Sequence, residues 1–190
     1  MTYFRTLTQR AVCFARRYKN NTQGSMSIEA VLTLPLLLLG LLFSYTYFAA
    51  FQVKSTANKA AYTVSDYMSR QTDSIDSDFI EGLASIYGFL TNTGTYTLRV
   101  SSVTWSETDG DGAYELEWSY AADSGDALTD ETLSDIEDSI PSLTSGETVL
   151  IVETTTDWAP IFEVGLDSVT FSDFVATKPR YATQVTFDDS

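Results

Sequence analysis

Residues 24–33, read as Gly24-Ser25-Met26-Ser27-Ile28-Glu29-Ala30-Val31-Leu32-Thr33, open onto a run from position 30 to position 53 that holds no charged residue. A helix needs about 20 apolar residues to cross a bilayer, so this run is long enough to do it. Its centre reads LPLLLLGLLF. A carboxylate at the edge of such a span, here Glu29, is costly in lipid and marks a functional position. Upstream stand Arg5, Arg10, Arg16, Arg17 and Lys19, and no acid precedes Glu29. A basic leader, a glycine, a short polar step, a glutamate and a span together have the form of a processing and assembly signal.

Charge fixes an orientation. The leader holds five of the 11 Lys and Arg residues, leaving six against all 26 acids in the rest of the chain. Between positions 101 and 177 there is no basic residue at all. The positive-inside bias therefore keeps the N-terminus cytoplasmic and sends the acidic part across the membrane. So acidic a surface repels phosphate backbones, which excludes nucleic acid as a partner. An ordinary secretory signal fits poorly, because the apolar run exceeds the 7–15 residues typical of an h-region. Its exit, Tyr47-Phe48-Ala49-Ala50-Phe51, also lacks the paired small residues of a signal-peptidase site.

Beyond the span the period stays helical. Ala57, Ala60, Ala61, Val64, Tyr67 and Met68 fall on one stripe of a 3.6-residue repeat. No Gly or Pro lies between Leu41 and Gly82. One helix is expected over 25–70, about 65 Å long at 1.5 Å per residue. Pro35 lies inside the span, where it removes a hydrogen bond to the Val31 carbonyl and can kink the helix. A second helix carries Phe79, Ile80, Leu83, Ile86, Tyr87 and Leu90, started by acids at 76–78 and stopped by Asn92 and Gly94.

The period then changes to two. Tyr96, Leu98 and Val100 alternate, and the shift to Val103 and Trp105 suggests a bulge. Asp109-Gly110-Asp111-Gly112 signals a hairpin leading into Tyr114, Leu116, Trp118 and Tyr120. An acidic loop over 126–145 carries one short helix with Leu133, Ile136 and Ile140. Residues 148–152, Thr-Val-Leu-Ile-Val, are apolar on both faces, as a central strand requires. Two further strands are expected at 168–175 and 181–187. The fold class is α+β: a long transmembrane and spike helix followed by a small antiparallel sheet domain of four or five strands packed on that helix. The chain divides into a basic leader over 1–24, a transmembrane helix over 25–53, a helical extension with a second helix over 54–92, and an acidic sheet domain over 93–190.

Little here supports catalysis. The chain has no His, and Cys13 in the leader is its only Cys. Ser-His-Asp, Cys-His and Cys/His zinc arrangements cannot be built from such a set. A secreted hydrolase working with two carboxylates is the enzymatic rival, but no pair among the scattered acids stands out. No metal or cofactor is expected; Asp109-Gly110-Asp111 lacks the spacing of a calcium loop. The glycine–glutamate step has a better use. A cut after Gly24 would place a new amino group on Ser25, within reach of Glu29 of the same or a neighbouring chain, making the acid a register device in a helix bundle.

Gly24, Ser25, Glu29 and the apolar run with Pro35 resemble the processing site of type IV pilin-like proteins. The closest likeness is to the TadE/TadF-like minor pseudopilins of tight-adherence (Flp) pilus systems. Ala176-Thr177-Lys178-Pro179-Arg180-Tyr181 resembles the Arg-Pro-Arg C-terminal region of the TadE type, with Lys178 in place of the first arginine. Ala30 stands where the Flp-type motif prefers an aromatic residue.

The resemblance implies cleavage after Gly24 by a prepilin peptidase, assembly through Glu29, and a non-enzymatic role in building an adhesion pilus. The implied partners are that peptidase, other pilins or pseudopilins, the pilus assembly platform and inner-membrane lipid. The implied location is a bacterial inner membrane, single-pass, with the C-terminal domain periplasmic and possible incorporation into the pilus. The competing reading is an unprocessed, single-pass anchored periplasmic binding or scaffold protein.

Overall fold

The computed structural model describes residues 23–108, 111–123 and 125–189. The leader expected over 1–24 lies outside the described residues except for its last two positions. Two compact units divide at Tyr45 and Thr46. In the first, the described residues form the opening part of helix α1, Gln23–Met68, which runs through Pro35 without interruption. The second unit contains the rest of α1, helix α2 (Ser77–Thr91), strands β1 (Tyr96–Thr108) and β2 (Asp111–Ala121), a four-residue helix α3 (Asp130–Leu133), a 3-10 turn (Glu137–Ser139), and strands β3 (Thr148–Trp158) and β4 (Val169–Thr177). The α+β class is as the sequence leads one to expect.

The four strands form one sheet in the order β2-β1-β3-β4, every pair antiparallel. Central β3 buries Val149 and Ile151 on one face, and Leu150 and Val152 on the other. Both faces are covered. On one, Ala60, Ala61, Val64 and Met68 of α1 and Ile80, Leu83 and Tyr87 of α2 pack against Leu98, Val100, Leu150 and Val152. On the other, Leu128, Leu133 and Ile140 close over Val103, Val149 and Ile151. Tyr87 joins helix to sheet by a buried hydrogen bond of 2.7 Å between its hydroxyl and Thr156 Oγ1.

Local chemistry sets the breaks. Asp76 caps α2 by accepting from the Phe79 amide at 2.8 Å, and Asn92 ends it in the left-handed region at φ 52°, which asparagine tolerates better than most residues. The β1–β2 hairpin closes with Thr108 opposite Asp111; its two connecting residues, Asp109 and Gly110, lie outside the described set. Beside it Trp105 faces Tyr114 edge-on at 4.6 Å.

The bulge exists, but on the partner strand. Ser102 pairs with Trp118 and Val103 with Leu116, so Glu117 is the extra residue and belongs to β2. Strand β1 keeps an unbroken register with β3. Its apolar residues change face because the core does: Leu98 and Val100 meet the helices, while Val103 meets the α3 side. The bulge then lets β2 follow, with Trp118 and Tyr120 packing towards the helices and Tyr114 and Leu116 towards α3.

Other expectations require correction. The expected strand over 181–187 is reduced to one parallel bridge between Ile75 and Phe187. Its alternation is real, for Val185 is buried and Phe187 half-buried. However, the segment crosses the sheet's face: the Trp118 indole donates to the Val185 carbonyl at 2.8 Å, and Phe187 stacks on Trp118 and Tyr120. Tyr67, expected on the buried stripe, is half exposed and stacks on Phe79. Ile86 and Leu90 of α2 are exposed too, and Ala84 and Thr91 are buried instead. The single short helix is split in two. Apart from Tyr67, the stripe from Ala57 to Met68 is buried, with Ala60, Ala61, Val64 and Met68 under the chain's own sheet, as expected of a sheet packed on the long helix.

Candidate functional site: the glycine–glutamate step, the apolar helix and the C-terminal motif

Gly24 and Ser25 lie in the first turn of α1, where the backbone N–H groups have no intrahelical acceptor. Glu29 is exposed one turn further on, and its carbonyl accepts from Thr33 Oγ1 at 2.8 Å. Side chains beyond it point outward without cover: Val31, Leu32, Leu34, Leu36, Leu37 and Leu39 are all exposed. The most apolar 18-residue window of this helix has a mean hydropathy of 2.1 and none of it is buried. Exposed leucine at this density needs a nonaqueous partner. One helix near the N-terminus is thus long and apolar enough to cross a membrane, which fits a single-pass membrane protein.

The C-terminal motif is placed in the second unit. Lys178 Nζ meets Glu147 Oε1 at 2.8 Å. The same carboxylate accepts from the Thr144 amide at 2.8 Å. Together, the Lys178 hydrogen bond first and the Thr144 amide next, these hold the Glu147 carboxyl below the ordinary glutamate range. Pro179 follows the end of β4. Arg180 reaches Asp66 Oδ1 at 3.0 Å, and its backbone N–H donates to the Ser69 carbonyl at 2.8 Å. Arg70 takes the other carboxylate oxygen of Asp66 at 2.8 Å. The motif therefore ties the strand that ends in Thr177 to the last turn of α1. Asp66 and Glu147 were not singled out from sequence. The i,i+4 spacing of Asp66 and Arg70 was legible, but their third partner lies 114 positions away.

Two further acid-bearing features serve the fold. Arg99 and Glu153, directly opposed across β1 and β3, form a 2.8 Å ion pair, and Arg99 also donates to the Asp126 carbonyl at 3.2 Å. They line a depression of about 360 Å³. Asp126 lines it as well, and of its two acids Glu153 is held in the ion pair with Arg99. Glu81 accepts from the Tyr120 hydroxyl at 3.2 Å and the Asp123 amide at 3.3 Å. Burial first, and then this acceptor, raise the Tyr120 phenol above its ordinary range. Among the described residues no group of three or more His, Cys, Asp or Glu could hold a metal ion.

None of the curated proteins matches the chain. Proteins of the TadE-like type are structural parts of a pilus rather than enzymes, and they work with other pilus components. The family model for TadE-like proteins matches residues 24–66, from Gly24 through the exposed apolar run to Asp66, consistent with a TadE-like protein of the Tad pilus system.

Proposed function

We propose that the chain is a minor pseudopilin acting in assembly of a Flp/Tad-type adhesion pilus, processed by a prepilin peptidase after Gly24. The observation that carries this is the extent of the family match, which opens on Gly24 and includes Glu29 and the uncovered apolar run. In this reading residues 1–24 are a cytoplasmic leader, 25–53 span the inner membrane, and the acidic remainder is periplasmic. Cleavage gives Ser25 a free amino group one helical turn from Glu29, since positions four apart are neighbours on a helix. That amine, or the amine of an adjacent subunit, neutralises the glutamate when pilin helices pack together in a low-dielectric bundle.

Because the stripe at Ala57 to Met68 is occupied by the sheet, lateral contacts with other pilins fall on the exposed side chains before it. Co-expression with a prepilin peptidase, followed by N-terminal sequencing, tests the reading. A product beginning at Ser25 supports it; an intact chain, or one cut near Ala50, overturns it. Gly24→Val should abolish cleavage, whereas Glu29→Gln should leave cleavage largely intact and impair assembly. An unprocessed anchor protein would be indifferent to both.

A further inference from the structure

The second unit carries an uncovered apolar groove between α1 and the sheet's β4 edge. Tyr47, Ala50, Phe51 and Lys54 line it from the helix, and Leu166 and Phe171 from the other side, around a volume of about 270 Å³. Helix and strand run alongside one another. Lys54 shares the groove with Phe171, Asn58 donates to Asp173 at 2.8 Å, Ser65 meets Thr177 at 2.6 Å, and Asp66 meets Arg180. The β3–β4 connection, residues 159–168, therefore lies level with the earliest turns of this unit. Gly165, at φ 81°, lets that connection turn and bring Leu166 into the groove. Ile161 on the same connection is 78% exposed, and Phe48 and Phe51 of the helix are 71% and 67% exposed.

We infer that this groove and the 159–168 connection form an interfacial anchor that rests in the headgroup layer of the bilayer crossed by α1. The inference depends on the membrane-spanning reading above. The uncharged run 30–53 is about 36 Å long as a helix, against a hydrocarbon core of about 30 Å, so about one turn at its end clears the hydrocarbon and the turn before it reaches the boundary. These two turns hold Tyr47, of the kind that concentrates at membrane interfaces, and Phe48 and Phe51, which suit the apolar face of an interfacial segment. Charge points the same way. In a chain of net charge −15, the only charged residues between positions 30 and 65 are Lys54 and Lys59. Lys54 is exposed and forms no ion pair among the described residues; its apolar stem can follow the groove while its ammonium meets a lipid phosphate. Glu163 and Asp167 on the connection keep it in the interface and out of the hydrocarbon.

The test uses the full chain with Cys13→Ser, reconstituted in phosphatidylcholine vesicles with and without a lipid bearing a headgroup nitroxide. Single cysteines at Thr33→Cys, Ile161→Cys and Glu131→Cys each carry an environment-sensitive fluorophore. Thr33 reads the span, and Glu131, exposed on α3 at the opposite face of the sheet, reads bulk solvent. The expected result is a blue-shifted Ile161→Cys label quenched about twofold or more by the nitroxide, as for a group held in the boundary region, with Glu131→Cys unaffected. A membrane-embedded Thr33→Cys label beside an unquenched, solvent-like Ile161→Cys label overturns the anchor and leaves the span intact. A blue-shifted but unquenched Ile161→Cys label means that a second copy of the chain covers the groove, which also overturns it. A solvent-like label at Thr33→Cys removes the membrane reading and the anchor with it.

Discussion

Arg180 meets Asp66 at 3.0 Å, joining the C-terminal motif to the residue on which the TadE-like match ends. Asp66 also holds Arg70, so one carboxylate clamps the end of α1 to the segment after β4. All three side chains are at least 40% exposed, which limits the value of the charges. Arg180→Ala should therefore cost no more than about 1 kcal/mol, the range of surface pairs. The Arg180 amide bond to Ser69 survives that change. Urea unfolding of the full chain in detergent micelles, run as a double-mutant cycle with Asp66→Asn, measures the coupling. A coupling of several kcal/mol would show that the clamp is more deeply desolvated than its exposure indicates.

The hydroxyl pair between Tyr87 and Thr156 is fully buried. Tyr87→Phe leaves Thr156 Oγ1 without its partner and should cost about 1–3 kcal/mol, the penalty of a stranded buried group. Adding Thr156→Val removes the stranded oxygen, so the double variant should recover part of the loss. Unfolding midpoints of Tyr87→Phe, Thr156→Val and the double variant settle it. A double variant weaker than the sum of the single changes would show that the loss comes from packing instead.

Sequence periodicity was most reliable where one residue type had one physical role. The apolar run, the Asp76 cap, the Asn92 stop and the two-faced strand at 148–152 all follow from local composition. Failures came where a neighbour distant in sequence decided the outcome. Leu98, Val100 and Val103 do change face, but nothing in β1 alone says that the second face is also covered, so the extra residue was assigned to the wrong strand. Val185 and Phe187 alternate as strand residues do, yet Trp118 captures the intervening backbone and lays the segment across the sheet. At the candidate site, Gly24 and Glu29 could be picked out by type and spacing, and Arg180 only through the family resemblance. The structural partners of Lys178 and Arg180, Glu147 and Asp66, could not, because ion pairs closed by tertiary packing leave no periodic trace.

Glu147 gives the chain an acid-sensitive contact. Its carboxyl is held below the ordinary range by Lys178 and the Thr144 amide. A group with a depressed folded pKa contributes stability above its unfolded value, near about 4.3 for glutamate, and that contribution is lost as pH falls through the folded value. Stability should therefore decline below roughly pH 4.3 more steeply in the parent than in Glu147→Gln. Unfolding midpoints between neutral and acid pH compare the slopes. Parallel curves would mean that Lys178 and Glu147 do not interact in solution.

Two glycines within α2 are expected to respond oppositely to the same substitution. A methyl group at Gly82 would meet no atom within 4 Å. Gly82→Ala should then gain the helix-propensity difference, about 1 kcal/mol. At Gly88 the same methyl group runs into the ring of Tyr96, which packs at 5.8 Å on Tyr87. Tyr96 must swing aside, giving up that contact and part of its burial against the helix-side core. Such overpacking costs about 1–3 kcal/mol, which cancels or exceeds the propensity gain. Gly82→Ala should raise the unfolding midpoint, and Gly88→Ala should leave it unchanged or lower it. Equal stabilisation by both would show that Tyr96 moves freely and is not a fixed part of the core against which α2 is seated.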